Sequence, residues 1–383
     1  MLNLEDAVIH SRQPFDNEII EFLDSVSKFI MKDKRTKKHS DVAAFAFWCR
    51  RSSVIQMRNQ YDDLNRRIGR GLVFHIAPSN VAVNFAFSLA TGLLSGNSNI
   101  VRLPSKEFVQ VDIICEAFEE VLKSYPNLSS FVNFIRYGHE KSITDELSVK
   151  CDARMIWGGD STINEIRKSA IRPRCVDIAF ADRYSIALID ADKYLEMTDK
   201  TSVARDFYND TYLNDQNACT SPKMVIWLGK NKKAAQDEFW GNLYNYTKEH
   251  YELQGVQAVH KLNRMMAFAS EYDGAKFNDN YKNLIYRINV SNISEKIFEY
   301  CGHSGFFIEY EAKNISDILP VCGERCQTLG YLGIEKHEIE QFILKYTPKG
   351  IDRAVPIGRT MEFSLIWDGY DLIKSLTRKI SMI

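Results

Sequence analysis

Apolar positions in the first seventy residues recur at helical spacing. In "DNEIIEFLDSVSKFIMKD", Ile19, Ile20, Leu23, Val26 and Ile30 share one face. The lysine-rich "KDKRTKKHSD" then reads as a solvated linker. A second helical stretch, "DVAAFAFWCRRSSVIQMRNQYDDLNRR", leads up to Gly69. From Gly71 the pattern changes to short apolar runs alternating with amphipathic helices. "GLVFHIAP" is a strand stopped by Pro78, "VNFAFSLATGLLSG" a helix stopped by Gly96, and "NIVRL" a second strand. "PSKEFVQVDIICEAFEEVLKSYP" is a helix with proline near its start, and "FVNFIRY", "ARMIW" and "CVDIAFA" continue as strands. Such alternation predicts right-handed βαβ crossovers and a parallel sheet covered on both faces.

Beyond about residue 205 a second α/β segment follows, with strands "KMVIWLG", "SGFFIEY" and "QTLGYLGI". The closing "PIGRTMEFSLIWDGYDLIKSLTRKI" is too rich in apolar and aromatic residues for a disordered tail. The expected organisation is therefore a helical segment 1–68, a cofactor-binding domain 69–205, a catalytic domain 206–345, and a C-terminal segment 346–383 packing back onto the body.

Composition narrows the function classes. A formal net charge of -1 over 383 residues gives no field that would attract nucleic acid or a membrane surface. The most membrane-like stretch, "VAVNFAFSLATGLLSGNSNIV", is broken by Asn84, Gly92, Ser95, Gly96 and Asn97 and fits a buried helix and strand better than a span. Eight cysteines without a C-x-x-C pair, and an N-terminus with neither signal nor transit character, point to free thiols in a reducing cytoplasm.

Three loops can carry chemistry. In "HIAPSNVAVNF", Asn80 follows a strand end, where its amide either caps the next helix or points into a cleft as an oxyanion donor. In "WGGDSTINEIRK", Gly158 and Gly159 let backbone approach closely, and Ser161 or Thr162 opens a helix. This is either a tight strand-to-helix turn or a diphosphate cradle. In "NDQNACTSPK", Cys219 is either an inert core thiol, the commoner case for a cysteine, or a nucleophile; its amide neighbours suit a partly exposed nucleophile better than the apolar settings of Cys49, Cys115 or Cys175 do. His75 reads as a packed strand residue, His303 in "CGHSGFF" as a candidate proton donor, and Trp367, Asp368 and Tyr370 as packing and capping residues.

In this order and spacing the loops resemble the aldehyde dehydrogenase superfamily, and more closely its acyl-CoA reductase branch, which includes the fatty-acid reductase of bacterial bioluminescence. The likeness rests on "VFHIAPSNVAVNFAFSLATGLLSGNSNIVRLPSK", "IWGGDSTINEIRK", "PRCVDIAFADRYS", "DQNACTSPK" and "IWDGYDLI". It implies an α/β, aldehyde dehydrogenase-like fold: two Rossmann-like parallel-sheet domains with an N-terminal helical segment. It further implies that Cys219 is the catalytic nucleophile, that Asn80 and the Cys219 backbone N–H form the oxyanion hole, and that "GGDST" lies near a cofactor diphosphate. The glutamate that serves hydrolytic members as general base is replaced, in this alignment, by Ala179, which favours reduction of an acyl thioester to an aldehyde over hydrolysis. Leu103 replaces the lysine that meets the adenosine ribose. With Arg102, Ser105 and Lys106 around it, NADPH is the expected cofactor, with NADH as the other nicotinamide candidate. The resemblance also implies an acyl-CoA or acyl-protein substrate, an acyl-activating synthetase as partner, and a homo-oligomer. A hydrolysing aldehyde dehydrogenase and a non-catalytic scaffold are the competing functions.

Overall fold

The computed structural model describes residues 11–78, 81–138, 140–278 and 281–382. These form two compact units, the described residues of Met1–Ala181 with Phe363–Ile383, and Asp182–Glu362.

In the first unit the helix Asn17–Lys32 starts where the Asp16 carboxylate accepts from the N–H groups of Glu18 (3.0 Å) and Ile19 (3.4 Å). Its predicted apolar face is buried. The lysine-rich stretch is no free linker: Lys34–Lys38 winds into a 3₁₀ helix, and the buried Thr36 hydroxyl donates to the Ile30 carbonyl at 2.8 Å. The second helical stretch divides into Ser40–Trp48 and Arg51–Arg58, because Arg50 adopts an extended conformation (φ -59°, ψ 142°).

Strand β1 (Arg67–Gly69) precedes β2 (Leu72–Ile76), β3 (Ser98–Arg102), β4 (Val132–Ile135), β5 (Ala153–Trp157) and β6 (Val176–Phe180). Strands β2 to β6 form a parallel sheet in the order β4-β3-β2-β5-β6. Alternate residues serve opposite faces: Leu72, Phe74 and Ile76 pack with Leu147, Ile163 and Ile166, whereas Val73 packs with Met155, Trp157 and Leu372. The order reverses at β2, which pairs with β3 on one side and β5 on the other. Loops at the carboxyl ends there bracket the crevice that open α/β sheets offer to ligands.

The second unit contains β7 (Tyr184–Asp190), β8 (Pro222–Leu228), β9 (Lys276–Phe277), β10 (Tyr286–Val290), β11 (Phe306–Glu311), β12 (Cys326–Leu332) and β13 (Arg353–Pro356). They form one sheet, β13-β12-β7-β8-β11-β10-β9, parallel except for the short edge strand β9. The units divide at Ala181/Asp182 and Glu362/Phe363, not at the expected 205/206 and 345/346. Those expected boundaries fall inside the helices Lys200–Thr211 and Lys336–Tyr346. The apolar strand "YSIALID" explains the difference: β7 lies mid-sheet, paired with both β8 and β12, so the second unit must begin before it.

From Phe363 the chain is again part of the first unit. Strands β14 (Ile366–Trp367) and β15 (Tyr370–Asp371) form a hairpin whose turn residues, Asp368 (φ 49°) and Gly369 (φ 75°), are both left-handed, as a two-residue hairpin turn requires. Strand β16 (Thr377–Lys379) pairs antiparallel with β1.

Candidate active site

Cys219 precedes β8, so its loop lies at the amino edge of the second unit's sheet, not at the carboxyl ends where such sheets usually hold ligands. The loop is made by two successive left-handed residues, Asp215 (φ 51°) and Gln216 (φ 58°). Asp215 accepts the Tyr251 hydroxyl at 2.5 Å. Gln216 is buried and acts as a bracket. Its Nε2 donates to the carbonyls of Pro222 (2.8 Å) and Phe306 (3.0 Å), and its Oε1 accepts from the N–H groups of Gly305 (3.1 Å) and Phe306 (3.0 Å). All four amide positions are saturated, which meets the cost of burying the group. Ser185 on β7 donates to the Cys219 carbonyl at 2.7 Å, and the Met361 sulfur lies 3.2 Å from the Thr220 hydroxyl. Cys219 itself is half-buried.

Two cations belong to the surroundings of this loop. Lys223 at the start of β8 is 8 % exposed; its Nζ donates to the carbonyl oxygens of Gln216 and Gly302 and lies 2.9 Å from His303 Nδ1. Burial pulls the Lys223 pKa down to about 8. Arg353 on β13 holds the carbonyls of Thr360 (2.6 Å), Arg359 (2.8 Å) and Glu362 (2.6 Å). Burial lowers its pKa too, against charge at Glu362, Asp210 and Cys219. Cations near a thiol favour the thiolate.

His303 is therefore beside Lys223, its Nδ1 2.9 Å from the Lys223 Nζ and 3.1 Å from the Gln216 carbonyl oxygen. Burial and the Lys223 charge push its pKa down to about 4, so it is neutral near pH 7. Gln216 and Lys223 were not among the candidates read from the sequence. The available signal was Lys223 itself, a lysine inside the apolar run "PKMVIWL", a local contradiction that only a site or a saturated bracket resolves.

In the first unit, Gly158, Gly159, Ser161 and Thr162 follow β5 and open the helix Asp160–Arg167. Gly159 is the N-cap residue and no side chain caps the helix, while Ser161 and Thr162 are exposed. A Cβ added to Gly159 would meet nothing within 4 Å, whereas one on Gly158 would press on Thr162 at 3.3 Å. An open, uncapped N-terminus reached by a glycine pair fits a diphosphate, with the Asp160 carboxylate on the same turn.

Arg102 ends β3. Its guanidinium lies over the Tyr137 ring (4.4 Å) and donates to the Gly138 carbonyl at 2.5 Å. Ser105 and Lys106 follow it and are exposed, with the Lys106 ammonium 5.1 Å from the Phe108 ring centre. Strands β3 and β5 flank β2, so these two groups of residues leave one sheet edge roughly 10 Å apart. Leu103 is core, packed in the cluster of the N-terminal helices, and Ala179 is half-buried on β6 opposite Ile156. Asn80 lies outside the described residues.

His75 is fully buried and satisfied. The Asn99 amide N–H groups donate to the carbonyls of Asn97 (2.7 Å) and Phe131 (3.1 Å), leaving Asn99 Oδ1 to accept His75 Nε2–H at 2.9 Å. Nδ1 then accepts from Ser88, whose oxygen takes the Trp157 indole N–H at 3.1 Å. Burial lowers the His75 pKa to about 4, and this is a packed strand residue. Trp367 packs on Phe363 (4.9 Å), and Tyr370 packs edge-on against Phe180 (5.9 Å).

A family model described as acyl-CoA reductase (LuxC) matches residues 7–379. The long-chain acyl-protein thioester reductase of Aliivibrio fischeri is 25% identical over 181 residues, covering 47% of this chain and 36% of that protein. The Vibrio harveyi protein of the same name is 22% identical over 258 residues, covering 61% and 52%. The chain thus spans about half the length, or less, of these curated relatives. Among solved structures, lactaldehyde dehydrogenase from Escherichia coli superposes with a TM-score of 0.65 at 13% identity, covering 94% of this chain and 85% of that one. A NAD-dependent benzaldehyde dehydrogenase from Corynebacterium glutamicum gives 0.60 at 15% identity, covering 95% and 80%. The fold is that of the aldehyde dehydrogenases, and no helix among the described residues is long and apolar enough to cross a membrane.

Proposed function

The chain belongs to the acyl-CoA reductase (LuxC) family, and from that membership we propose that it reduces an acyl thioester to an aldehyde through an acyl-enzyme on Cys219. The observation that carries this reading is the Cys219 loop: a half-buried thiol on a turn braced by Gln216 and Ser185. In this reading the second unit performs the acyl chemistry and the first holds the cofactor.

The Cys219 thiolate attacks the thioester carbonyl, and the tetrahedral oxyanion is held by the Cys219 backbone N–H and by Asn80. The donor thiol leaves, and Cys219 carries the acyl group. A nicotinamide cofactor would supply hydride, with Gly158, Gly159, Ser161 and Thr162 holding its diphosphate. Arg102, Ser105 and Lys106 would meet a 2′-phosphate, which favours NADPH over NADH. Once the thioester carbon is at the hemithioacetal level, collapse releases the aldehyde and returns the Cys219 thiolate. With Ala179 at the place of a hydrolytic base, water has no activated route to the acyl-enzyme. The relatives' name favours an acyl-protein donor over free acyl-CoA, and with it an acyl-activating synthetase partner; a homo-oligomer is part of the same proposal.

Incubation with a long-chain acyl-CoA, followed by acid quench and intact mass, tests the first step. One acyl adduct on the wild type and none on Cys219→Ala is the expected result; an equal adduct on both removes Cys219 as the nucleophile. Aldehyde formation matched to NADPH consumption then separates a reductase from a scaffold. Acid release without cofactor oxidation would indicate hydrolysis.

A further inference from the structure

We propose that Cys151 and Cys175 form a redox-active thiol pair, a site at which a peroxide oxidant closes a reversible disulfide at one edge of the first unit's sheet. The inference is independent of the role given to Cys219 and concerns thiols that the acyl chemistry does not use.

The two cysteines stand at the amino ends of neighbouring parallel strands. Cys151 ends the helix Lys141–Lys150 just before β5, and Cys175 immediately precedes β6. Their Sγ atoms lie 3.7 Å apart. The segments that carry them are tied together. The Val176 N–H donates to the Asp152 carbonyl at 3.1 Å. Arg172 Nη2 donates to the carbonyls of Lys150 (2.9 Å) and Cys151 (3.0 Å) and to the Asp152 carboxylate (2.6 Å). Neighbouring strands run about 4.8 Å apart, within the roughly 4.4–6.8 Å that the Cα atoms of a disulfide span. Bond formation then needs the sulfurs to close from 3.7 Å to about 2.0 Å, a movement that side-chain rotation supplies.

Exposure divides the roles. Cys175 is half-buried and within reach of a small oxidant, whereas Cys151 is fully buried and reacts through its neighbour. Hydrogen bonding with Cys151 holds the Cys175 thiol below the usual cysteine range, and the same contact together with burial holds Cys151 above it. Cys175 is therefore the thiolate that attacks. Its sulfur takes one peroxide oxygen as the O–O bond breaks; the hydroxide that leaves takes up a proton to become water, and Cys175 becomes a sulfenic acid. The Cys151 sulfur then attacks the Cys175 sulfur, the S–O bond breaks, and a second water leaves with the Cys151 proton. Two thiols and one hydrogen peroxide give one disulfide and two waters, and an external dithiol returns the pair to its reduced state. Cys322 and Cys326 are also in contact, but both are buried and offer the oxidant no exposed sulfur. The bond between Cys151 and Cys175 closes β5, the turn at Gly158 and Gly159 and the helix Asp160–Arg167 into one covalent loop.

The test treats the reduced full chain with hydrogen peroxide, alkylates the remaining thiols under denaturing conditions, and maps the tryptic peptides by mass without reductant. The expected product joins the peptide that begins at Cys151 to the one that begins at Cys175, two hydrogens lighter than their sum, and dithiothreitol separates them. Alkylation of both cysteines is lost together, and the same cross-link forms in Cys219→Ala. Cys151→Ser leaves Cys175 without its partner, so Cys175 should accumulate sulfenic acid, trapped by dimedone, and then sulfinic acid that dithiothreitol does not reverse. No cross-link at a peroxide dose that oxidises free cysteine in a parallel tube overturns the proposal. Equal sulfinic acid at Cys175 in the wild type and in Cys151→Ser does so too. If Cys151→Ser fails to fold, the cross-link in the wild type and in Cys219→Ala decides. The acyl adduct of Cys219 is measured on the reduced chain, so failure of either experiment leaves the other intact.

Discussion

Arg154 in the first unit and Lys223 in the second are both buried cations on strands, and they are settled differently. Arg154 donates to the Asp177 carboxylate (2.9 Å), to the Ser148 hydroxyl (3.0 Å) and to the carbonyls of Ile166 (3.2 Å) and Ser169 (3.1 Å). Its charge is met by a carboxylate and its donors by a ring of fixed acceptors. Lys223 has carbonyls and an imidazole but, among the described residues, no carboxylate within hydrogen-bond distance. Lys261 in the same unit is similar: its ammonium donates to the carbonyls of Asn283, Leu284 and Ser304 and lies 5.0 Å from the Tyr286 ring centre, and burial lowers its pKa to about 7. A cation neutralised by a carboxylate holds structure. Among the described residues, Lys223 and Lys261, both in the unit that contains Cys219, are buried ammonium groups held by neutral partners instead.

The second unit also holds a paired charge, and removing its partner should give the largest effect. Glu309 is fully buried, accepts Arg287 Nε at 2.6 Å, and takes the indole N–H groups of Trp227 (3.0 Å) and Trp240 (2.8 Å). Glu309→Ala would leave Arg287 buried without its carboxylate and is expected to cost about 3–5 kcal/mol in urea unfolding. A loss under about 1 kcal/mol would mean that this unit tolerates isolated charge throughout, and the contrast with Arg154 would fail.

His75 sharpens the comparison from the first unit, where its own hydrogen-bond network with Asn99, Ser88 and Trp157 is neutral. Unfolded, its imidazole protonates near 6.5; folded, only near about 4. Unfolding therefore takes up a proton between those values, and stability falls as pH drops from 6.5 towards 4, by at most about 3 kcal/mol. Denaturation midpoints at pH 7 and 4.5 should show this loss in the wild type and a shallower one in His75→Gln. Equal slopes in both would assign the acid sensitivity to other groups.

Arg154→Met is expected to cost less than Glu309→Ala, about 1–3 kcal/mol, because Asp177 keeps Arg167 at 3.0 Å. A thermal melt that placed it above Glu309→Ala would invert the order. The smallest effect belongs to the surface. Lys141 and Asp145, one helical turn apart and exposed, form a 2.6 Å pair, and Lys141→Ala should change stability by no more than about 0.5 kcal/mol.

Much of the fold was legible because it is written in local periodicity. The apolar face 19–30, the strands of the first sheet and the glycine-opened turn at 158–159 are where the pattern of apolar residues and turn-formers puts them. The domain boundaries were misplaced because strand β7 has the same apolar character as the strands before it; only its pairing with β8 and β12 assigns it to the second sheet. The lysine-rich stretch looked like a linker because composition records charge and cannot show that Thr36 finds a buried carbonyl at Ile30.

At the candidate site the division is similar. The chain alone marked Cys219 as a thiol in polar company and the residues 158–162 as a helix opening. It could not show that Gln216 turns its side chain inward to bind residues 305 and 306, nor that Lys223 meets His303 eighty residues away. Those contacts join segments distant in sequence, and they exist because a parallel sheet brings the starts of β8 and β11 to one edge. Local pattern determined which elements form and that a thiol stands on the loop before β8; tertiary packing decided which distant groups brace that loop, because side-chain contacts between segments remote in sequence exist only once the sheet brings them to one edge.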